Sequence, residues 1–371
     1  MTVFDSNGPL DVIVVGGGQA GLAMAWHLKR QGMRFLVLDA GSEIGHVWRS
    51  RWDSLTLFTA ARYDGLPGLG FPGPADRYPN KDEVADYLRD YAAAFELPIR
   101  LNTRVVRLSR AAGGFALVTG DGRTYRARQV VVATGPFQTP FIPPAGGRLD
   151  PAVTQVHSSR YRRPADLPDG PVLVVGGGNS GMQIAAELAA TRSVHLSVGS
   201  TLTALPQRPL GVDLFWWLTR LGVVSKPADS WLARRMRDRG ELLIGTSRRA
   251  LRRAGVVFRP RLVGAEGTEA RFEDGGTLPV RSVVWATGFR SDYSWLDVDG
   301  ALADGRPAHR RGVTGVPGLY FLGLPWQHSR GSALLGFVKH DAAHLAERIT
   351  AFAGAGPYLD IPATTPVKPP V

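Results

Sequence analysis

One local pattern constrains the fold of this chain more than any other: a short apolar run that breaks into closely spaced glycines and then into a helical stretch. Residues 11–15 read as a buried strand, which passes directly into Gly16, Gly17, Gly18, Gln19, Ala20 and Gly21 ahead of a helical stretch over residues 22–30. In such a GxGxxG turn the first glycine permits the tight bend, the second lets the backbone approach a pyrophosphate, and the third lets the helix pack closely on the sheet. The helix N-terminus then faces the phosphates with unpaired amides and the positive end of its dipole. A second strand over residues 35–38 ends in Asp39, an acid where a ribose hydroxyl pair needs an acceptor.

The pattern repeats. Residues 171–175 precede Gly176, Gly177, Gly178, Asn179, Ser180 and Gly181, followed by a helix over 182–190 and a strand over 194–198. Two complete fingerprints predict two bound dinucleotides. The units differ at the ribose-reading end. Gly199, Ser200 and Thr201 replace the acid, so nothing there repels a 2′-phosphate, and Arg208 follows closely enough to meet it. The expected nicotinamide cofactor is NADPH, with NADH left open.

Further matching segments set the topology. Buried strands ending in Ala133, Thr134, Gly135 and in Ala286, Thr287, Gly288 close the two units, their small residues allowing close approach to a cofactor. Residues 103–127, with a turn at 120–122, read as a small antiparallel sheet, and 256–278 as its counterpart. The chain returns with a strand over 319–322 and a long helix from 333 to 351. These elements predict an α/β protein of two Rossmann-like, three-layer dinucleotide-binding domains, the second inserted into the first. Residues 1–152 and 290–371 form the discontinuous first domain, and 153–289 form the second, with a helical insert over 206–245. A length of 371 residues also favours two domains. The returning segment brings Gly323, Leu335 and Gly336 to the first cofactor, with a helix start aimed at its ring.

The chain has no cysteine, which excludes structural disulfides and every route that passes electrons through a cysteine pair or a thiolate. His340 and His344 lie four apart on the last predicted helix and read as a solvated face, so no metal site is expected. Net charge is +12, part of it in the arginines between Arg234 and Arg253, including Arg239. With no nucleic-acid motif beside them, these read as a solvated surface, and no nucleic-acid partner is expected. No apolar run approaches the roughly 20 residues that span a bilayer. The first ten residues carry an acid and a Gly-Pro turn in place of a secretory signal. The expectation is a cytoplasmic protein with no integral membrane association, a homo-oligomer being left open.

These residues together resemble the flavin-containing monooxygenases, most closely their short bacterial members and the plant indole-3-pyruvate monooxygenases, over nearly the whole chain. The resemblance implies that the first glycine turn and Asp39 bind FAD. It assigns Gly176, Gly178, Asn179, Ser180 and Gly181 to NADPH, with Ser200 and Arg208 at the 2′-phosphate. Gly45, His46, Trp48 and Arg49 are similar to the family's Gly-Gly-x-Trp turn beside the flavin, with His46 in place of the second glycine. Val105 matches the position whose backbone meets the adenine, and Ala286, Thr287, Gly288 and Phe289 match the signature that joins the domains. His157, Tyr161 and Arg162 match the second half of the identifying motif, FxGxxxHxxxY and a basic residue, while Pro151 and Val153 occupy its Phe and Gly positions.

The activity this implies runs by hydride transfer from NADPH to FAD, addition of oxygen to the reduced flavin, and transfer of one oxygen atom from the peroxyflavin. The acceptor is a nitrogen, sulfur or carbonyl centre of a small, partly apolar metabolite. Thr59, Gln327 and His328 are polar residues in segments the family places near the flavin, Thr59 among the cofactor contacts; no side chain declares itself catalytic. The insert carries Phe215, Trp216, Trp217 and Trp231 and reads as a lid over an apolar cleft. The same two cradles also suit an NAD(P)H-dependent reductase of quinones or oxygen, or a dinucleotide sensor that turns nothing over.

Overall fold

A computed structural model describes residues 10–199, 204–238 and 242–354. Both apolar runs that precede the glycines are strands, buried as strands covered on both faces must be. β1 (Leu10–Val15) leads through the first glycine turn into α1 (Gln19–Arg30) and then β2 (Phe35–Leu38), which lies parallel to β1 with Val12 opposite Phe35. A single turn, α2 (His46–Arg49), precedes α3 (Lys81–Ala94). The sequence dictates where α3 starts: Asn80 accepts from the amides of Asp82 and Glu83 while Glu83 accepts from the Asn80 amide. β3 (Ile99–Arg100) extends the sheet beyond β2. β4 (Val105–Ala111), β5 (Gly114–Thr119) and β6 (Thr124–Val132) form the expected antiparallel meander. β6 is long enough to run on parallel to β1, so its second half joins the cofactor sheet.

After β7 (Thr139–Pro140) the second sheet begins with β8 (Thr154–His157), β9 (Val172–Val175), α4 (Asn179–Leu188) and β10 (Val194–Ser197). An insert follows, made of β11 (Ala204–Leu205), α5 (Leu214–Arg220), α6 (Trp231–Asp238) and β12 (Leu243–Ile244), which pairs with β11 at the base. α7 (Arg248–Arg253) stacks Arg248 and Arg252 over Phe258 of β13 (Val257–Arg259). β14 (Leu262–Glu266), β15 (Glu269–Phe272) and β16 (Thr277–Pro279) make a small antiparallel sheet, and β17 (Ser282–Trp285) completes a parallel sheet of order β13-β10-β9-β17-β8.

β18 (Phe289–Arg290) pairs antiparallel with β7, so the two connections between the sheets run side by side. β19 (Leu296–Asp297) then joins the first sheet beside β4, and the strand Leu319–Phe321 pairs with β6. The first sheet thus draws its strands from both ends of the chain. Val12, Ile13, Val14, Val174, Val283 and Val284 are wholly buried in these sheets, each contributing about 1.5–3 kcal/mol, which anchors the turns that follow them.

The last helix departs from expectation. Residues Arg330–Ala333 form a separate 3-10 turn capped by Ser329, and α8 (Lys339–Gly354) begins only afterwards. Leu334 is extended, with φ −79° and ψ 148°, which ends the turn, and Gly336 beyond it lies against the backbone of Tyr63 and Asp64, where a methyl group would come 2.0 Å from the Tyr63 carbonyl oxygen. α1 and α4 start three residues earlier than their apolar patterns suggest, because the third glycine of each turn already belongs to the first helical turn.

Candidate cofactor and active site

At the first turn Gly16 has φ +112°, and a methyl group there would come 2.4 Å from the Ala133 carbonyl oxygen. At Gly21 it would come 1.8 Å from the Gly16 carbonyl oxygen. The protein's own backbone therefore requires glycine at both positions. Gly18 differs, since no protein atom lies within 4 Å of a methyl built on it. α1 has no side-chain cap and no acid in its first turn. An uncapped, acid-free helix start beside open space fits a pyrophosphate. Asp39 accepts from the Gly17 amide through Oδ2 and from the Gly41 amide through Oδ1 at 2.7 Å, which fixes it at the end of β2 with lone pairs left for ribose hydroxyls. The Thr103 amide donates to the Asp39 carbonyl at 2.7 Å and brings the start of β4, with Val105, to the same end. Gly323 closes on the start of α1, its Cβ position 2.8 Å from the Ala20 methyl. Trp48 packs on the main core. Arg49, expected beside the cofactor, is committed to protein: it bonds Glu43 at 3.2 Å and Asp86 at 2.9 Å and so ties α2 to α3.

The second turn repeats this geometry closely. Gly176 has φ +116°, with the Ala286 carbonyl oxygen 2.2 Å from its Cβ position, and Gly181 stands 1.9 Å from the Gly176 oxygen in the same sense. α4 is also uncapped and acid-free at its start. The Asn179 side chain donates to the Leu242 carbonyl at 3.1 Å and accepts from the Ile244 amide at 3.0 Å, so it fastens the insert to this turn. Ser200 lies outside the described residues. Arg208 does not reach this end: it donates to the Tyr78 hydroxyl at 3.2 Å and the Asp76 carbonyl at 2.8 Å. The cation beside the second ribose-reading end is instead Arg261, which donates to the Gly199 carbonyl at 2.9 Å and lies exposed against Gly199.

The two Ala-Thr-Gly ends meet at one junction. Gln138 donates to Thr134 Oγ1 at 2.9 Å and the Gly135 carbonyl at 3.0 Å, and accepts from the Asp292 amide at 2.6 Å. The Thr287 hydroxyl donates to the Phe141 carbonyl. His157 Nε2 lies 3.0 Å from the Gly288 carbonyl, so that nitrogen carries the proton, and Nδ1 accepts from the Ser159 amide at 3.1 Å. Burial, with a smaller push from the Arg51 charge, holds His157 below the usual imidazole range despite the bond to Gly288. Tyr161 is buried and donates to Glu187 of α4 at 2.8 Å. The half-motif present thus braces the strand end at Gly288 and α4 within the second unit, and the Arg162 carbonyl accepts from the Asp53 amide of the first unit at 2.8 Å.

A buried polar pair lies beneath Gly336. The Thr59 hydroxyl donates to Asp64 Oδ1 at 2.6 Å, and Asp64 Oδ2 has no partner among the described residues. Burial raises the Asp64 carboxyl to about 7, against the Thr59 bond and with a further push from Asp213. The insert lands here too. Phe215 is wholly buried and stacks on Phe58 at 5.9 Å between ring centroids, with Tyr63 at 6.3 Å and Phe337 at 6.0 Å. Asp213 caps α5 and accepts from the Tyr78 hydroxyl at 2.8 Å, so Asp213 and Arg208 latch the insert onto the first unit. Trp216 and Trp231 are 39% and 69% exposed, and Trp217 packs edge-on against Trp216. Of the four aromatics, Phe215 fills the space between the units. Gln327 accepts from the Leu324 amide at 3.2 Å, and the His328 carbonyl accepts from Ala228 of the insert at 2.6 Å. Asp341, between His340 and His344 in sequence, is buried and paired with Arg311 at 3.4 Å.

Residues 13–207 match the family model described as pyridine nucleotide-disulphide oxidoreductase. The chain is 46% identical to an uncharacterized CzcO-like oxidoreductase of Geobacillus kaustophilus, over 92% of this chain and 98% of that protein. It is 30% identical to an indole-3-pyruvate monooxygenase of Oryza sativa subsp. japonica, over 88% of this chain and 86% of that one. A solved flavin-containing monooxygenase from Stenotrophomonas maltophilia matches with a TM-score of 0.79 at 28% identity, over 93% of this chain and 99% of that chain. The chain belongs to the flavin-containing monooxygenase family. Within the family it is a FAD-dependent oxidoreductase and, in general terms, a flavin monooxygenase. Bacillithiol disulfide reductase from Staphylococcus aureus, at 16% identity and a TM-score of 0.67, shares the fold. No helix among the described residues is long and apolar enough to cross a membrane.

Proposed function

We propose that the chain is an NADPH-dependent monooxygenase that delivers one oxygen atom to a nitrogen, sulfur or carbonyl centre of a small, partly apolar metabolite. On this reading residues 1–152 and 290–371 hold FAD, residues 153–289 hold NADPH, and the insert over 206–245 covers the substrate. The observation that carries it is the pair of matched turns, Gly16 to Gly21 and Gly176 to Gly181, opening beside one junction in a chain without cysteine.

When bound, FAD supplies hydride acceptance and oxygen activation. The chain's own residues bind, orient and exclude water. The first-turn amides of α1 and α4 hold the two pyrophosphates, Asp39 orients the FAD ribose, and Arg261 meets the 2′-phosphate that distinguishes NADPH. Asp64, neutral below its raised pKa, keeps a proton beside the Gly336 turn. The rings of Phe58, Tyr63, Phe215 and Phe337 close that wall against water. The rice relative is named for indole-3-pyruvate, and an aromatic wall suits a substrate of that apolar kind. The test is stoichiometry with candidate amines, sulfides and oxo acids. Equal consumption of NADPH and oxygen with an oxygenated product supports the proposal. Peroxide without product makes the chain an oxidase or quinone reductase, and no turnover with any substrate leaves a dinucleotide sensor.

A further inference from the structure

The guanidinium of Arg51 stands 5.2 Å from the ring centroid of Phe137 and 5.4 Å from that of Phe289. These rings follow the two Ala-Thr-Gly segments, so the cation sits where both cofactor-bearing strands end, the side of an α/β sheet on which ligands bind. Phe137 is 59% exposed, which leaves the junction open to solvent. Among the described residues Arg51 makes no ion pair and no side-chain hydrogen bond, and the Arg162 charge acts on it, the Arg162 carbonyl being bonded by the amide of Asp53 at 2.8 Å. Arg162 gives Nη1 to the carbonyls of Ser159 and Tyr161 and also makes no ion pair among the described residues. Asp53, two residues from Arg51, is taken by Lys81 at 3.8 Å and Arg163 at 3.9 Å. Other arginines of the first unit have found carboxylates: Arg62 pairs with Asp76, Arg77 with Glu83 and Arg107 with Asp297.

A half-buried cation without a counter-charge, with a second cation acting on it, is costly to hold. Burial and the Arg162 charge together lower the proton affinity of Arg51, an effect that a bound anion would reverse. Ring faces satisfy part of the charge but none of the in-plane N–H donors. A planar fork of unused donors is what a carboxylate or phosphate accepts through two oxygens.

We propose that Arg51 and Arg162 form the anion site of the junction and hold the acidic group of a bound ligand, either a phosphate of the nicotinamide dinucleotide or a carboxylate of the substrate. This rests on the flavin monooxygenase reading. It is tested by calorimetric titration of the FAD-loaded protein with NADP+ and, separately, with benzoate, comparing wild type, Arg51→Met and Arg51→Lys. Arg51→Met should weaken at least one probe by about tenfold or more, while Arg51→Lys keeps most of the affinity and both variants keep their FAD and melting temperature. Loss for NADP+ alone assigns the site to the cofactor phosphate, and loss for benzoate alone to a substrate carboxylate. Wild-type affinity of Arg51→Met for each probe that wild type binds overturns the proposal and leaves the monooxygenase reading standing. Equal losses in both variants with lowered melting temperatures would make Arg51 a structural clamp and also overturn it. A wild-type protein that binds neither probe overturns both readings together.

Discussion

A methyl group on Gly18 meets no protein atom, whereas one on Gly21 would lie 1.8 Å from the Gly16 carbonyl oxygen. The two substitutions should therefore fail differently. Gly18→Ala, at φ −77°, should leave the stability of the flavin-free protein within about 1 kcal/mol of wild type yet strip it of FAD. Gly21→Ala should cost the fold itself more than about 2 kcal/mol; melting curves and flavin content of both variants check this. Arg261→Ala should weaken NADPH by about 1.5–3 kcal/mol and leave NADH nearly unchanged, the loss typical of a charge-assisted hydrogen bond; equal losses for both nucleotides would place Arg261 elsewhere. Asp64 predicts an unusual pH dependence. Its folded pKa is raised to about 7, so between the unfolded value near 3.8 and 7 the folded state holds the extra proton. The stability this carboxyl contributes is present below about pH 4 and lost as pH rises through 7. Asp64→Asn, which cannot ionise, should melt higher than wild type at alkaline pH, by at most about 4 kcal/mol at about 1.4 kcal/mol per unit, with the gap closing in acid. The glycines and Asp39 were legible because each turn is local in sequence. Arg261 was not, because it meets Gly199 from 62 positions away across parallel strands, and Asp64 was not, because only burial makes it unusual.

The insert is fastened to the second turn by Asn179 and meets the first unit through one buried ring, the latch on Tyr78 and the bond from Ala228 to His328. Phe215 is the single wholly buried aromatic that α5 sends into the first unit, and it touches Phe58, Tyr63 and Phe337. Phe215→Ala should destabilise the protein by about 3–5 kcal/mol if the space stays empty. It should also speed proteolytic cutting within 206–245; unchanged cutting would mean that the polar contacts of the insert hold it without the ring. The sequence pattern announced an aromatic insert, but helical spacing does not say which ring turns inward, since Phe215, Trp216 and Trp217 are consecutive. The strands running into the glycine turns and the Ala-Thr-Gly segments were legible almost to the residue, because apolar runs bounded by glycine leave little choice; β13, expected within the antiparallel counterpart, instead joins the parallel sheet beside β10. The start of α8 was not legible, since apolar spacing continues through Leu334, Leu335 and Val338 while the chain is extended at Leu334 and packs at Gly336 on a loop more than 270 positions earlier in the chain.

At the scale of the whole molecule, a mixed sheet and a parallel sheet carry the same turn, and their two connections meet through β7 and β18 and the bonds between Phe141 and Thr287 and Gly288. That arrangement explains why the chain must leave the first sheet and come back to it. On the proposed reading, electrons pass from a nucleotide on one turn to a flavin on the other, in a chain with no cysteine to divert them. The matching Ala-Thr-Gly segments made this return visible in sequence. The contacts across the junction were not, because Arg51, Phe137 and Phe289 come from three separate stretches of chain. The most direct measurement of the central claim is made on the purified protein without oxygen. It should carry tightly held FAD whose yellow colour is bleached by NADPH in a single step and restored when oxygen is admitted. Release of FMN, no flavin at all, or a bound FAD that neither NADPH nor NADH can bleach would contradict the account.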